Sequence, residues 1–281
     1  MELKRKQHVL PESYLKRWAD PATTVPGKTA MVWTISKDGK HKRLKPPASN
    51  HFWRDCFYDL TTRCGQHRQD LENLLGSIES SFARIVENLI IPSKPVSHIE
   101  LQELDLFVAG MSMRTEKMRE SISSFASAKA RIEKDHAISR SAPPPDTSGN
   151  EHNAHALAIC EGICFISGRL AAMSHNVFVA PAGKAYVTSD TPCTWRAPTG
   201  CVGLANPALE ITLPLTPNHL LHVSKVFPLS GSREAEDFWV DLMNWDTIRG
   251  ARRYFIANSS VVDPDWFENE AVWTERLLQT G

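Results

Sequence analysis

Long apolar runs are missing from this 281-residue chain. None reaches the about 20 residues that a membrane-spanning helix needs, so no span is expected. Cysteine is scarce: the six residues at 56, 64, 160, 164, 193 and 201 are too scattered for a disulfide scaffold and are read as reduced thiols. Neither sign of charge dominates. Lys+Arg and Asp+Glu both number 32, so no global field draws the protein to nucleic acid or an anionic membrane, and any such site must be local. The basic opening MELKRKQ is not followed by the apolar stretch of a secretory leader, which makes the cytoplasm the expected location. Nor does the chain contain a phosphate-binding G-x-x-x-x-G-K loop, a G-x-G-x-x-G after a strand, an H-E-x-x-H or a G-x-S-x-G. These absences disfavour nucleotide-driven motors, dinucleotide oxidoreductases, zincins and serine hydrolases, and no nucleotide cofactor is expected.

What is there is ordinary in bulk and uneven in detail. A hydrophobic content of 42% with 23% charged residues is that of a folded globular protein, and the length fits one domain over 1–281. Lys4, Arg5, Lys6, Lys16 and Arg17, then Lys37, Lys40, Lys42, Arg43 and Lys45, make the first 45 residues cationic. Such a run is a solvated face or a set of phosphate contacts, and nucleic acid is the partner it would suit. A homo-oligomer is equally compatible with the sequence.

The stretch QHVLPESYLKRWAD, residues 7–20, predicts a short helix with Pro11 at its first position, where the missing N–H costs nothing. Leu10, Tyr14, Leu15 and Trp18 then share a face that must dock. MVWTIS, the turn KDGK and HKRLK predict a β-hairpin with Asp38-Gly39 as a type I′ pair. The aromatic-rich stretch from Pro46 to Gln66, which contains Tyr58, predicts an ordered loop. Residues 70–90 carry Leu71, Leu74, Leu75, Ile78, Phe82, Ile85, Val86 and Leu89 at helical spacing. A Ser97-x-x-Glu100 capping box opens one or two further helices to about 136, a flexible linker is expected over 139–150, and another helix over 151–173. Residues 176–190 then predict a hairpin, with strands in 209–215, 219–227 and 252–261 and helices at about 232–249 and 265–278. The sum is an α+β fold: a short N-terminal helix and hairpin, a central helical bundle, and a mostly antiparallel C-terminal region.

Few residues stand out chemically. His8 precedes a helix beside basic residues, where a histidine serves as an acid or base, binds phosphate, or merely caps. Glu72 and Glu79 lie seven apart, on the row of Leu75, Phe82 and Val86, and Arg114 falls in register with Phe107, Met111 and Met118. Charges on apolar rows need partners, so an ion pair or an active-site cluster is implied. Asp190, at a strand end in YVTSDTP, suits a carboxylate that ligates Mg²⁺ or Mn²⁺, or one that only closes a turn. Cys56, Cys64, His67 and His51 lack a C-x-x-C pair, so zinc is not expected. Arg131 and His136 have the Arg-x4-His spacing of HEPN ribonucleases, which on an exposed helix usually signifies solvated side chains. Cys160 and Cys164, one turn apart, read as small core residues.

In order, QHVLPESYLKRWAD, VWTISKDGK, FWRDCFYDL, LENLLGSIESSF, GMSMRTEKMRE, YVTSDTP and LPLTP make the chain similar to the microbial family known as domain of unknown function 4238. His8, Pro11, Tyr14 and Leu15 match its opening H-x-x-P-x-x-Y-L. The resemblance runs from about residue 7 to about residue 260. It implies that His8, Tyr14, Tyr58, Glu72, Glu79, Arg114 and Asp190 occupy the family's polar motif positions. Val9 stands where an aromatic is common and Trp18 where phenylalanine is common. The resemblance supplies no reaction.

Two functions fit. In the first the chain is a phosphodiester-cleaving enzyme, a nuclease of a defence or toxin-type module. His8 is then the acid or base, Glu72, Glu79 and Asp190 are metal ligands or base, and Arg114 is the phosphate clamp. In the second it is a non-catalytic binding or regulatory protein. The same groups then form a buried network, anchored by Pro11, Tyr14, Trp18 and Tyr58.

Overall fold

A computed structural model of the chain describes residues 5–58, 60–61, 67–139, 150–197, 201–226 and 231–280. The N-terminal part contains β1 (Lys6–His8), α1 (Glu12–Leu15), β2 (Val32–Ser36), β3 (Lys42–Lys45), β4 (Trp53–Asp55), β5 (Leu60–Thr61) and β6 (His67–Arg68). The helical middle is α2 (Asp70–Ile85), α3 (His98–Met113), α4 (Glu116–Ser139) and α5 (Asn150–Leu170). Then come β7 (Ser174–Val179), β8 (Thr188–Ser189), β9 (Thr194–Arg196), β10 (Glu210–Thr216) and β11 (His219–Ser224). The C-terminal elements are β12 (Gly231–Glu234), α6 (Asp237–Gly250), β13 (Tyr254–Ala257) and α7 (Glu270–Thr280). The fold is α+β, as the sequence predicts.

At the N-terminus the helix is shorter than predicted. Gln7 and His8 are extended because β4 pairs antiparallel with β1, with His8 opposite Trp53. Pro11 sits one position earlier than expected, at the N-cap (φ −57°, ψ 137°), and a 3₁₀ turn over Lys16–Trp18 completes the segment. Tyr14, Leu15 and Trp18 are fully buried. The β2–β3 hairpin forms with Thr34 opposite Arg43. Its turn is not type I′, which needs two left-handed residues. Only Gly39 has a positive φ (+74°), and its N–H donates to the Ser36 carbonyl at 2.8 Å. A methyl there would meet the Phe267 ring at 2.6 Å, so glycine is required twice over.

In the middle, Leu71, Leu75, Ile78, Phe82 and Ile85 of the predicted stripe form the buried face of α2, whereas Leu74 is exposed. A π-helical turn over Val86–Ile90 ends that helix. The capping box is present, with Ser97 N–H donating to Glu100 Oε2 at 2.8 Å. Phe82 stacks on Phe107 of α3 at 3.6 Å between centroids. Of the linker expected over 139–150, Ser139 ends α4 and Asn150 opens α5, and residues 140–149 lie outside the described residues.

Two larger sheets complete the fold. One is five-stranded, ordered β12-β7-β11-β10-β9, antiparallel except where β12 runs parallel to β7. The other is antiparallel, ordered β3-β2-β13-β8. The hairpin predicted over 176–190 is therefore absent. β7 finds six register partners along β11, while two-residue β8 pairs with β13 in the other sheet. Likewise the helix predicted from 232 starts at Asp237, because Gly231–Glu234 adds to the sheet edge as β12. A continuous apolar core runs from Val9 to Trp273, and a smaller cluster of Ile35, Val187, Ile248, Phe255, Ala257 and Trp266 lies under the four-stranded sheet.

Candidate functional site: the motif cluster

Arg114 organises the cluster. It is not on the row of one continuing helix; it stands at the C-cap of α3 (φ −84°, ψ 4°), where the chain turns into α4. That corner points the guanidinium inward, and the side chain is 3% exposed. Nη1 donates to Glu79 Oε1 at 2.6 Å, Nε to the Tyr58 hydroxyl at 3.2 Å, and Nη2 to the backbone carbonyl of His8. The Tyr58 hydroxyl donates to the same His8 carbonyl at 3.0 Å. Buried Gln7 accepts the Tyr58 backbone N–H. Glu72, also buried on α2, acts electrostatically on both His8 and Tyr58. Thus His8, Tyr58, Glu72, Glu79 and Arg114 come together, but His8 is engaged through its carbonyl and not its ring.

Burial opposes the charge of Arg114. The Tyr58 and Glu79 oxygens outweigh it and raise the pKa above the ordinary arginine value. Burial pushes the Tyr58 phenol up to about 12. Burial first, and Arg114 second, lower the His8 imidazole below its usual value, against the pull of Glu79, Glu12 and Glu72. His8 Nε2 is buried without a hydrogen-bond partner among the described residues. A neutral ring is the consequence near pH 7.

Asp190 does not share this cluster. Its Oδ1 accepts from the Arg252 N–H and its Oδ2 from the Arg253 N–H, both at 2.8 Å. The cause is the pairing of β8 with β13: the Asp190 N–H donates to the Tyr254 carbonyl, which carries the carboxylate to the turn before β13. Burial raises its pKa, while the three backbone N–H bonds of this turn work the other way. Among the described residues no three His, Cys, Asp or Glu side chains form a group that could hold a metal ion. Glu72, Glu79 and Asp190, the expected Mg²⁺ or Mn²⁺ ligands, do not form such a group among the described residues.

The anchors are where the sequence puts them. Pro11 is buried, and the buried Tyr14 hydroxyl donates to the Pro214 carbonyl at 2.6 Å and lies 2.6 Å from Thr188 Oγ1. Cys64, and the side chains of His67, Arg131 and His136, lie outside the described set. Cys160 is half-buried and Cys164 exposed, so they are not the core pair expected. Sequence reasoning missed Gln7 and Glu116. The latter takes Arg54 at 2.5 Å, Arg253 at 3.4 Å and also Arg252. The adjacent Arg252-Arg253 pair was the only signal pointing to it.

Fold and cluster together define an α+β protein whose N-terminal strand is pinned to a helical core by a buried arginine. The chain matches the family described as "Protein of unknown function (DUF4238)" over residues 6–261, and it belongs to that family. No curated protein and no solved structure matches it. No helix among the described residues is long and apolar enough to cross a membrane.

The histidine has a measurable consequence. Its pKa is lower folded than unfolded, so below about pH 6.5 the unfolded chain binds the extra proton and stability falls as pH drops. Melting temperatures at pH 7.5, 6.5 and 5.5 are expected to show a shallower acid-side fall in His8→Asn. Some fall remains, because burial also lowers the pKa values of His51 and His219. An unchanged pH slope would mean that the His8 ring is solvated.

Proposed function

We propose that the chain is a non-catalytic binding protein in which the motif residues fasten the framework and carry no chemistry themselves. The observation that supports this reading is the engagement of the Arg114 guanidinium. Its three nitrogens bond to the Glu79 carboxylate, the Tyr58 hydroxyl and the His8 carbonyl at 3% exposure, a geometry suited to pinning β1 and not to receiving a substrate phosphate. Asp190, with both oxygens on backbone N–H groups, has the same character.

A second reading, phosphodiester cleavage, draws support from the His8 ring. Its unpartnered Nε2 and lowered pKa, beside Glu79 and Glu72, are features of a general base. The two readings separate on incubation of the purified protein with end-labelled RNA and DNA, with and without Mg²⁺ or Mn²⁺. The binding reading expects intact strands in every lane. Cleavage that disappears in His8→Ala and Glu79→Ala, with the variants still folded, would replace it with the nuclease.

A further inference from the structure

Alternation along β2 and β3 decides what lies on each face of the four-stranded sheet. Ile35, Phe255 and Ala257 point to the smaller core. Thr34, Ser36, Arg43 and Tyr254 point the other way and floor a cavity of about 510 Å³. His51, from the segment leading into β4, Arg54, within β4, and Arg253, from the turn before β13, wall it. Among the described residues no acidic side chain lines it. Arg43 and Lys45 have no carboxylate partner among the described residues, and the single Glu116 carboxylate is shared by Arg54, Arg252 and Arg253. The His51 ring reports the resulting field. After burial, the influences that lower its pKa are Lys45, Arg54, Arg253 and Arg43, all cationic. His51 also lies 4.7 Å from the Tyr254 ring, which puts an aromatic surface on the groove floor.

We propose that this groove binds a single nucleic-acid strand through its phosphates, with Arg43 and Arg253 as the phosphate contacts and His51 and Tyr254 as the surface on which a base rests. The proposal rests on the binding reading above and supplies its ligand. Guanidinium forks suit phosphate oxygens, and Ser36, Thr34 and Asn50 add neutral hydrogen-bonding groups to the lining. A concave lining of this size, with an aromatic floor, takes a flexible strand with splayed bases and excludes a duplex. A lipid surface is the poorer fit, since the lining offers no aliphatic side chain for insertion. The framework sets the groove. The Asp190 carboxylate fixes the backbone of Arg252 and Arg253, and β1, pinned by Arg114, pairs with the strand that carries Arg54.

The test is fluorescence anisotropy of the whole chain with labelled single-stranded DNA and RNA, matched duplex, and inorganic phosphate, pyrophosphate and mononucleotide as competitors. Arg43→Glu/Lys45→Ala, which alters two unpartnered side chains, is expected to weaken strand binding at least tenfold with an unchanged melting temperature. Lys28→Ala/Lys94→Ala, exposed lysines that do not line the groove, is expected to change it less than threefold. The salt dependence is expected to fall by about 0.7 in log–log slope for each single-strand phosphate contact removed. Equal loss in the two double variants, tighter binding of duplex, or competition by mononucleotide at the strand's own affinity would overturn the proposal. So would absence of binding, without touching the non-catalytic reading. Cleavage of a bound strand would overturn that reading and leave the groove assignment standing.

Discussion

Replacement of Arg114 by methionine is expected to lower the stability of the chain by about 3 to 5 kcal/mol, the range for removing one partner of a buried ion pair. The mechanism is local. The His8 carbonyl and the Tyr58 hydroxyl lose their shared donor inside the protein, while Glu79, whose side chain is 22% exposed, recovers part of its hydration. That relief places the expected value near the lower end. For a chain of this size each kcal/mol shifts the melting temperature by about 1.7 °C, so a fall of at least about 5 °C is the readout. Arg114→Lys is expected to recover less than half of it. An ammonium cannot reach a carboxylate, a phenol and a carbonyl from one planar fork. A melting temperature within about 1 °C of the parent would remove Arg114 from the framework.

Tyr14→Ala is expected to cost a similar amount, about 4 kcal/mol, for a different reason. Tyr14 is wholly buried, and its ring lies 6.0 to 6.1 Å from those of Trp18, Phe82 and Phe107, so truncation opens a cavity where α1 meets the helical core. Tyr14→Phe separates packing from hydrogen bonding. It keeps the ring and leaves the Pro214 carbonyl and Thr188 hydroxyl without their partner, at an expected cost of about 1 to 3 kcal/mol. Urea unfolding of the two variants checks the order, and equal losses would mean that the ring contributes nothing beyond the hydroxyl.

The features legible in the sequence are those set by neighbours along the chain. The stripe of α2, the capping box at Ser97 and the β2–β3 hairpin depend on spacing within a few residues, and each forms. The hairpin's turn type is not fixed by its residues, because Asp-Gly is compatible with more than one turn, and here Gly39 alone of the pair is left-handed. Long-range pairing was not legible. Nothing local tells Thr188–Ser189 to join β13 in place of β7, or Gly231–Glu234 to add as a parallel edge strand.

At the cluster, residue types indicated that Glu79 and Arg114 need partners, and they find each other. They did not indicate that His8 takes part through its carbonyl, because a backbone acceptor has no side-chain signature. Asp190 illustrates the same blindness. Its partners are two backbone N–H groups more than sixty residues away, set by a strand pairing that only the fold reveals. The groove was half legible. The alternation in Lys42–Lys45 marks Arg43 and Lys45 as one face, while the arrival of His51, Arg54 and Arg253 on that face is tertiary.

The claim that the motif residues act as a fastening is tested most directly by a double-mutant cycle between Glu79 and Arg114, measured by urea unfolding of the parent, Glu79→Gln, Arg114→Met and the double variant. Residues in contact within one network couple by about 0.5 to 3 kcal/mol. A coupling of at least about 1 kcal/mol is expected, with the double variant little less stable than Arg114→Met alone. Strict additivity of the two single losses would contradict the account.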